Sequence, residues 1–252
     1  MLVNLRKTIS EKLNKLQIML NTPGAFRART KGCYFELYRV VYRLYAMGFR
    51  PQTILDIGAN RGMFSKCANY AFPDTAIYAF EPLKDCYEEL CDLKSTISKL
   101  QCYNVALAEK SGEAFIQKSS YDYSSSLLEM EDLHKKAFSY TAGKRLEKVK
   151  VQTLDAILAQ EHTERPLLMK IDVQGYERFV LDGACETLKQ TDYIVCEMSF
   201  RTLYKGQALF DEVYHRLINA GFFFCGQIGE LQHPKSTEVL QIDGLFVRAK
   251  QS

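Results

Sequence analysis

Three observations predict an α/β fold built on a mostly parallel sheet. Short apolar runs of strand length alternate with helix-length periodic segments from Thr53 to the end of the chain. The first such run, Thr53-Ile54-Leu55, meets a glycine-containing loop, Asp56-Ile57-Gly58-Ala59-Asn60-Arg61-Gly62, and then a helical stretch. Finally, an acid or amide follows each of five successive strand candidates: Asp56, Glu81, Asn104, Asp172 and Glu197. In an open parallel sheet, ligands bind beyond the carboxyl ends of the strands, where those residues fall.

At 252 residues the chain has room for one sizeable α/β domain with a small extension. A net charge of +3 gives no argument for nucleic acid as a partner. The 8 cysteines form no C-x-x-C pair and no zinc-finger spacing, so free thiols in a reducing cytoplasm are expected. No apolar run is long enough to span a bilayer. Arg6, Lys7, Glu11, Lys12 and Lys15 interrupt what a signal peptide would need, so a cytoplasmic location is expected.

Residues 1–50 read as an N-terminal helical cap and 51–252 as the main domain. Leu2, Leu5, Ile9, Leu13, Leu16 and Leu20 recur at helical spacing. They predict a helix packed on its own domain, with a membrane-surface anchor or a dimerisation helix as alternatives. Thr22-Pro23-Gly24 ends it, and Arg27, Arg29 and Lys31 read as loop. Residues 33–47 predict a second helix with Phe35, Tyr38, Val41, Tyr42 and Tyr45 on its core face, ended at Gly48.

Further on, Ala76-Ile77-Tyr78-Ala79-Phe80 is the second strand, 82–94 a helix, and 100–105 the third strand. Residues 114–118 read as an extra strand. The polar stretch 119–145 reads as a lid that meets the substrate, with Ser125 and Ser126 as candidate substrate contacts. A short strand at 147–152 precedes a helix at 154–160. The strand-like segment Leu167-Leu168-Met169-Lys170-Ile171-Asp172-Val173 sets Lys170 and Asp172 on one face. Helices at 177–188 and 208–219 flank a fifth strand at 193–197. The chain closes on a last strand or hairpin, Val239–Ile242 and Leu245–Val247, around Asp243-Gly244.

The loop after the first strand lacks the Gly-Lys-Ser/Thr ending of a P-loop. A dinucleotide loop needs G-x-G-x-x-G, but Asn60 stands at the middle glycine place. Asp56 suits a ligand with an ammonium group. Glu81, 19 positions past Gly62, stands near the spacing at which an acid takes ribose hydroxyls. S-adenosylmethionine has both ends.

The ordered segments DIGANRG, YAFEP, NVAL, SSS before Leu127, TLD at 153–155, LLMKIDVQGYE, VLDGA, LINAGF and DGLFVR resemble the FkbM family of S-adenosylmethionine-dependent methyltransferases. The resemblance implies a Rossmann-like class I methyltransferase fold: seven strands, one of them antiparallel, with helices on both faces. It implies methyl transfer to a hydroxyl of a sugar in a glycan or of a natural product. It assigns Asp56, Gly58, Asn60 and Gly62 to the methionine end of the cofactor, Glu81 to its ribose, and Asn104 and Val105 to its adenine. Gln174 stands where relatives usually carry Glu.

The residues themselves nominate Asp172 as the base for the acceptor hydroxyl, Glu197 as second candidate, and Lys170 as the group that orients them. Gln174 is a further candidate substrate contact. A divalent metal on Asp172 and a neighbouring acid has no ligand spacing behind it. A nicotinamide-dependent oxidoreductase and a non-catalytic binding module are the competing readings.

Overall fold

The computed structural model describes Leu13, residues 16–119, 126–128, 144–234 and 236–249. Residues 16–20 are helical. The leucine row does not pack as expected: Leu13, Leu16 and Leu20 are 61%, 46% and 65% exposed. Met19, with Ile18, meets the core instead. Leu2, Leu5 and Ile9 of that row, with Arg6, Lys7, Lys12 and Lys15, lie outside the described residues. The expected loop at Arg27 and Arg29 is a short helix, α1 (Ala25–Thr30), started by Gly24 at φ 77° and seated through Ala25 and Ala28. α2 (Phe35–Ala46) buries Phe35, Tyr38, Val40, Val41 and Leu44, while Tyr45 turns outward.

The main sheet begins with β1 (Thr53–Ile57), α3 (Met63–Ala71), β2 (Ala76–Phe80), α4 (Lys84–Asp92) and β3 (Leu100–Tyr103). All three strands are parallel. The chain then leaves that sheet. Instead of one strand running through Val105, β4 (Ala106–Leu107) joins β5 (Gly112–Ser119) and β6 (Lys144–Gln152) in a separate three-stranded sheet, ordered β4-β6-β5. β5 and β6 are the arms on either side of the stretch read as a lid, of which the structure describes 126–128.

α5 (Leu154–Leu158) starts at Thr153, whose hydroxyl accepts from the Ala156 amide at 3.1 Å. β7 (Leu167–Ile171) returns to the main sheet beside β1. The helix expected at 177–188 is two, α6 (Glu177–Asp182) and α7 (Cys185–Gln190). They break at Gly183, where a side chain would overlap the Ala108 carbonyl. β8 (Tyr193–Ser199), α8 (Phe210–Asn219), β9 (Phe222–Gln232) and β10 (Val239–Arg248) complete the chain.

The seven-stranded order is β3-β2-β1-β7-β8-β10-β9, with β10 antiparallel to both neighbours. This is the class I methyltransferase topology. Of strand or hairpin, the last segment is a strand: Asp243-Gly244 lies inside β10, paired to Glu197-Cys196 of β8. The central strands are buried on both faces, which explains their unbroken apolar runs. Ile54, Leu168, Val195 and Leu245 face α2 and α3. Leu55, Ile57, Met169, Ile171 and Cys196 face α6 and α8.

All eight cysteines are free. Among the described residues no helix is long and apolar enough to cross a membrane.

Candidate functional site

The loop after β1 is built on reversed backbone. Gly58 and Gly62 have φ 74° and Asn60 has φ 49°. A side chain on Gly58 would overlap the Asp172 carbonyl, so glycine is what lets this loop touch the end of β7. The Gly58 and Ala59 amides donate to the Phe80 carbonyl at 3.1 and 3.0 Å. The Asn60 amide donates to Glu81 Oε2 at 2.8 Å, and the Leu83 amide to Glu81 Oε1 at 2.9 Å. Glu81 thus clasps the loop to the end of β2. Burial pushes its carboxyl up to about 7, against the pull of the Leu83 and Asn60 amides.

A cleft of about 670 Å³ opens over these strand ends. Gly58, Asn60 and Glu81 form one side, and Asp172 and Gln174 another. Leu83, Ala106, Leu107 and Ile116 supply an apolar wall. The second sheet therefore furnishes part of the cleft, and Ser126 closes over it. Its hydroxyl donates to the Gln174 carbonyl at 2.6 Å and accepts from the Leu128 amide at 3.0 Å. Ser125 lies outside the described residues.

Beside the cleft, acids gather around one lysine. Lys170 Nζ donates to the Gly58 carbonyl at 3.0 Å and pairs with Asp56 at 3.4 Å and Asp172 at 3.6 Å. Burial alone would lower its pKa; Asp172 and Asp56 more than offset this and hold it up. Gln174 Nε2 donates to Asp172 Oδ1 at 2.8 Å and to Glu197 Oε2 at 3.1 Å. Its Oε1 accepts from the Tyr204 hydroxyl at 2.8 Å. The Gln174 backbone is left-handed, φ 55°, a strained state for this residue and one associated with functional sites.

Burial, then Asp172, Glu177 and Asp243, holds the Glu197 carboxyl well above its ordinary range. Burial lifts Asp243 to about 6, with Asp172 adding to it and Lys170 opposing. Glu177 is buried and lifted to about 7 by burial first. It accepts from the Val173 and Gly175 amides at 3.1 and 3.0 Å, and so shapes the turn that presents Gln174. Among the described residues no group of three or more His, Cys, Asp or Glu is arranged to hold a metal.

The structure brings Gly58, Asn60, Glu81, Asp172, Gln174 and Ser126 to the cleft. Four residues expected at the cofactor stand outside the lining of the cleft. Asp56 is fully buried on the opposite side of its strand, accepting from Ser65 at 2.6 Å and facing Lys170. The missing side chain of Gly62 makes room for Leu90 and Leu93 of the helical stretch behind the loop, so it acts by packing. Asn104 donates its side-chain amide to the Glu81 and Pro82 carbonyls, both at 2.9 Å. Val105 is turned into the core. Asn104 therefore braces the Glu81 segment, and Ala106 and Leu107 take the bordering place.

Sequence reasoning missed Leu83, Ile116, Tyr176, Tyr204 and Asp243. Pro82 after Glu81 was the available signal for Leu83; the others depend on non-local pairing.

Residues 56–224 match the family described as the Methyltransferase FkbM domain. The chain is similar to the 2-O-methyltransferase NoeI of Sinorhizobium fredii (strain NBRC 101917 / NGR234), 26% identical over 161 residues. That match covers 61% of this chain and 66% of the relative, just under two thirds of its length. Among solved structures, magnesium protoporphyrin IX methyltransferase from Synechocystis PCC 6803, with bound SAH, is 11% identical. It covers 84% of this chain and 82% of its own, with a TM-score of 0.48. Burkholderia thailandensis 1,6-didemethyltoxoflavin-N1-methyltransferase is also 11% identical, covering 97% and 87%, with a TM-score of 0.47. Likenesses this distant do not bear on the chemistry.

Proposed function

The chain belongs to the FkbM methyltransferase family, and on that premise we propose that it moves a methyl group from S-adenosylmethionine to a hydroxyl oxygen of a sugar or natural-product acceptor. Glu81 is the observation that carries the cofactor assignment. Both of its oxygens accept one backbone amide, and each keeps a lone pair at the edge of the cleft. Paired acceptors suit the adjacent hydroxyls of a ribose. Ala106, Leu107 and Ile116 offer the apolar contact an adenine needs. Gly58 and Asn60 would meet the remainder of the cofactor. When bound, the sulfonium supplies an activated methyl and its own leaving group.

Two tasks remain for the protein: to aim the acceptor oxygen and to take its proton. Aim alone can lower a barrier by about 7–11 kcal/mol in favourable cases. Asp172 is the proposed proton acceptor, since it borders the cleft and has Lys170 beside it to balance its charge. Lys170 is a positioning residue: buried, and tied to the Gly58 carbonyl, Asp56 and Asp172, it links the loop to the base. Glu197 does not line the cleft, and its burial disfavours the charged form, so it is the second candidate; through Gln174 it keeps Asp172 in place. Transfer to oxygen rather than nitrogen or carbon is supported by the name of the 2-O-methyltransferase relative.

The test is incubation with methyl-labelled S-adenosylmethionine and a panel of neutral glycans, with S-adenosylhomocysteine release as readout. Asp172→Asn should keep S-adenosylhomocysteine binding and lose about 10²–10⁴-fold in turnover. Turnover within threefold of wild type would remove Asp172 from the role.

A further inference from the structure

The chain between Glu11 and Glu36 carries five basic residues, Lys12, Lys15, Arg27, Arg29 and Lys31, and no acid. The domain holds this stretch by one side. Met19 is buried, and Ile18 packs against the same core. The Thr22 hydroxyl donates to the Ile18 carbonyl at 2.8 Å and fastens the end of the helical turn. From α2, the Tyr38 hydroxyl donates to the Pro23 carbonyl at 2.8 Å, and Ala25 and Ala28 seat α1.

Those contacts decide what is left facing outward. Leu13, Leu16 and Leu20 are each helical and stand three and four residues apart, the spacing of one helix face. All three are exposed, so the row turns away from the side that Ile18 and Met19 bury. Phe26 and Tyr34 follow at 51% and 65% exposed, and Arg27, Arg29 and Lys31 are exposed with them. Bulky apolar side chains held outward on an anchored segment mark an interaction surface. Combined with an excess of cations, they have the pattern of helices that lie in the plane of a membrane surface.

We propose that this stretch docks the protein on a bilayer carrying acidic phospholipids, with Leu13, Leu16, Leu20 and Phe26 entering the acyl boundary and Arg27, Arg29 and Lys31 meeting the headgroup phosphates. Charge chooses the bilayer over a second copy of the chain. A two-fold contact would set the stretch against itself, and its five cations would find no acid there. An acidic leaflet supplies negative charge along its whole surface.

The test is flotation of the full chain with vesicles of phosphatidylcholine alone and with one third phosphatidylglycerol, beside light scattering of the vesicle-free protein. One variant is Leu16→Ser with Leu20→Ser; the other is Arg27→Gln with Arg29→Gln and Lys31→Gln. All five side chains are exposed, so both variants should unfold in urea at the wild-type midpoint. Wild type should bind the acidic vesicles at least tenfold more tightly than the neutral ones, and more weakly as salt rises from about 0.1 to about 0.5 M. Each variant should bind the acidic vesicles at least fivefold more weakly than wild type. No binding of wild type to acidic vesicles, equal binding to both kinds, or undiminished binding of either variant overturns the proposal. So does a dimer that the leucine variant makes monomeric while no vesicle is bound, which would give the face to a second copy.

Discussion

Gly58→Ala should damage both stability and cofactor binding, and Gly48→Ala only the first. Both glycines have positive φ, 74° and 88°. Forcing an L-residue into that region takes roughly 1–2 kcal/mol. At Gly48 nothing lies within 4 Å of the added methyl, so that is the whole effect. At Gly58 the methyl would overlap the Asp172 carbonyl oxygen, with the carbonyl carbon at 2.9 Å and Val173 Cγ1 at 3.3 Å. The obstacle is backbone at the end of a buried strand, so it cannot swing away as a side chain would. Relief by displacement adds about 1–3 kcal/mol, for a total of roughly 2–5 kcal/mol. The displacement also separates β1 from β7 where both border the cleft. Urea unfolding of the two variants, with calorimetric titration of S-adenosylhomocysteine, separates the effects. Gly48→Ala should bind normally; Gly58→Ala should bind at least tenfold more weakly. Equal stability losses with unchanged affinity in both would refute the argument that Gly58 is there for close approach.

Glu81 titrates near 7 in the folded chain and near its ordinary 4.5 when unfolded. The folded state therefore holds the extra proton in that interval, and stability falls as pH rises from 4.5 to 7, by about 3 kcal/mol. Glu81→Gln should flatten this slope in urea unfolding at a series of pH values; parallel curves would contradict it. Gln174→Glu turns a donor to two carboxylates into a third carboxylate. It should destabilise by about 1–3 kcal/mol at pH 8 and much less near pH 4.5, where the added group is neutral. A pH-independent loss would speak against charge as the cause. Asp155 accepts from the Glu186 amide at 2.9 Å, the Thr187 amide at 2.8 Å and the Thr187 hydroxyl at 2.7 Å. Asp155→Ala should lower stability by about 1–2 kcal/mol with S-adenosylhomocysteine affinity unchanged; a loss of affinity would give it a wider role.

Much of the site was legible because strand ends are legible. An apolar run closed by an acid, repeated down the chain, placed Glu81, Asp172 and Glu197 at one edge of one sheet. What could not be read was facing. Asp56 lies inside β1 and is held by Ser65 and Lys170, while Glu81 stands one residue past the end of β2 and clasps the loop. Asn104 and Val105 stand outside the cleft lining because the chain leaves the main sheet after Tyr103 and rotates Val105 into the core. β5 and β6 pair across 24 intervening residues, 120–143, a distance that local periodicity does not see. Asp243-Gly244 has the composition of a hairpin turn. Only its partners, Gly229 on one side and Glu197 on the other, show why it continues as strand. The N-terminal leucines had helical spacing, but spacing does not say which row of the helix meets the core.

Calorimetric titration of the wild-type chain and Glu81→Ala with S-adenosylhomocysteine tests the central claim most directly. The account predicts one site in the wild type, weakened at least tenfold in a variant that circular dichroism shows to be folded. No binding to folded wild-type protein, or equal binding to both, would contradict it.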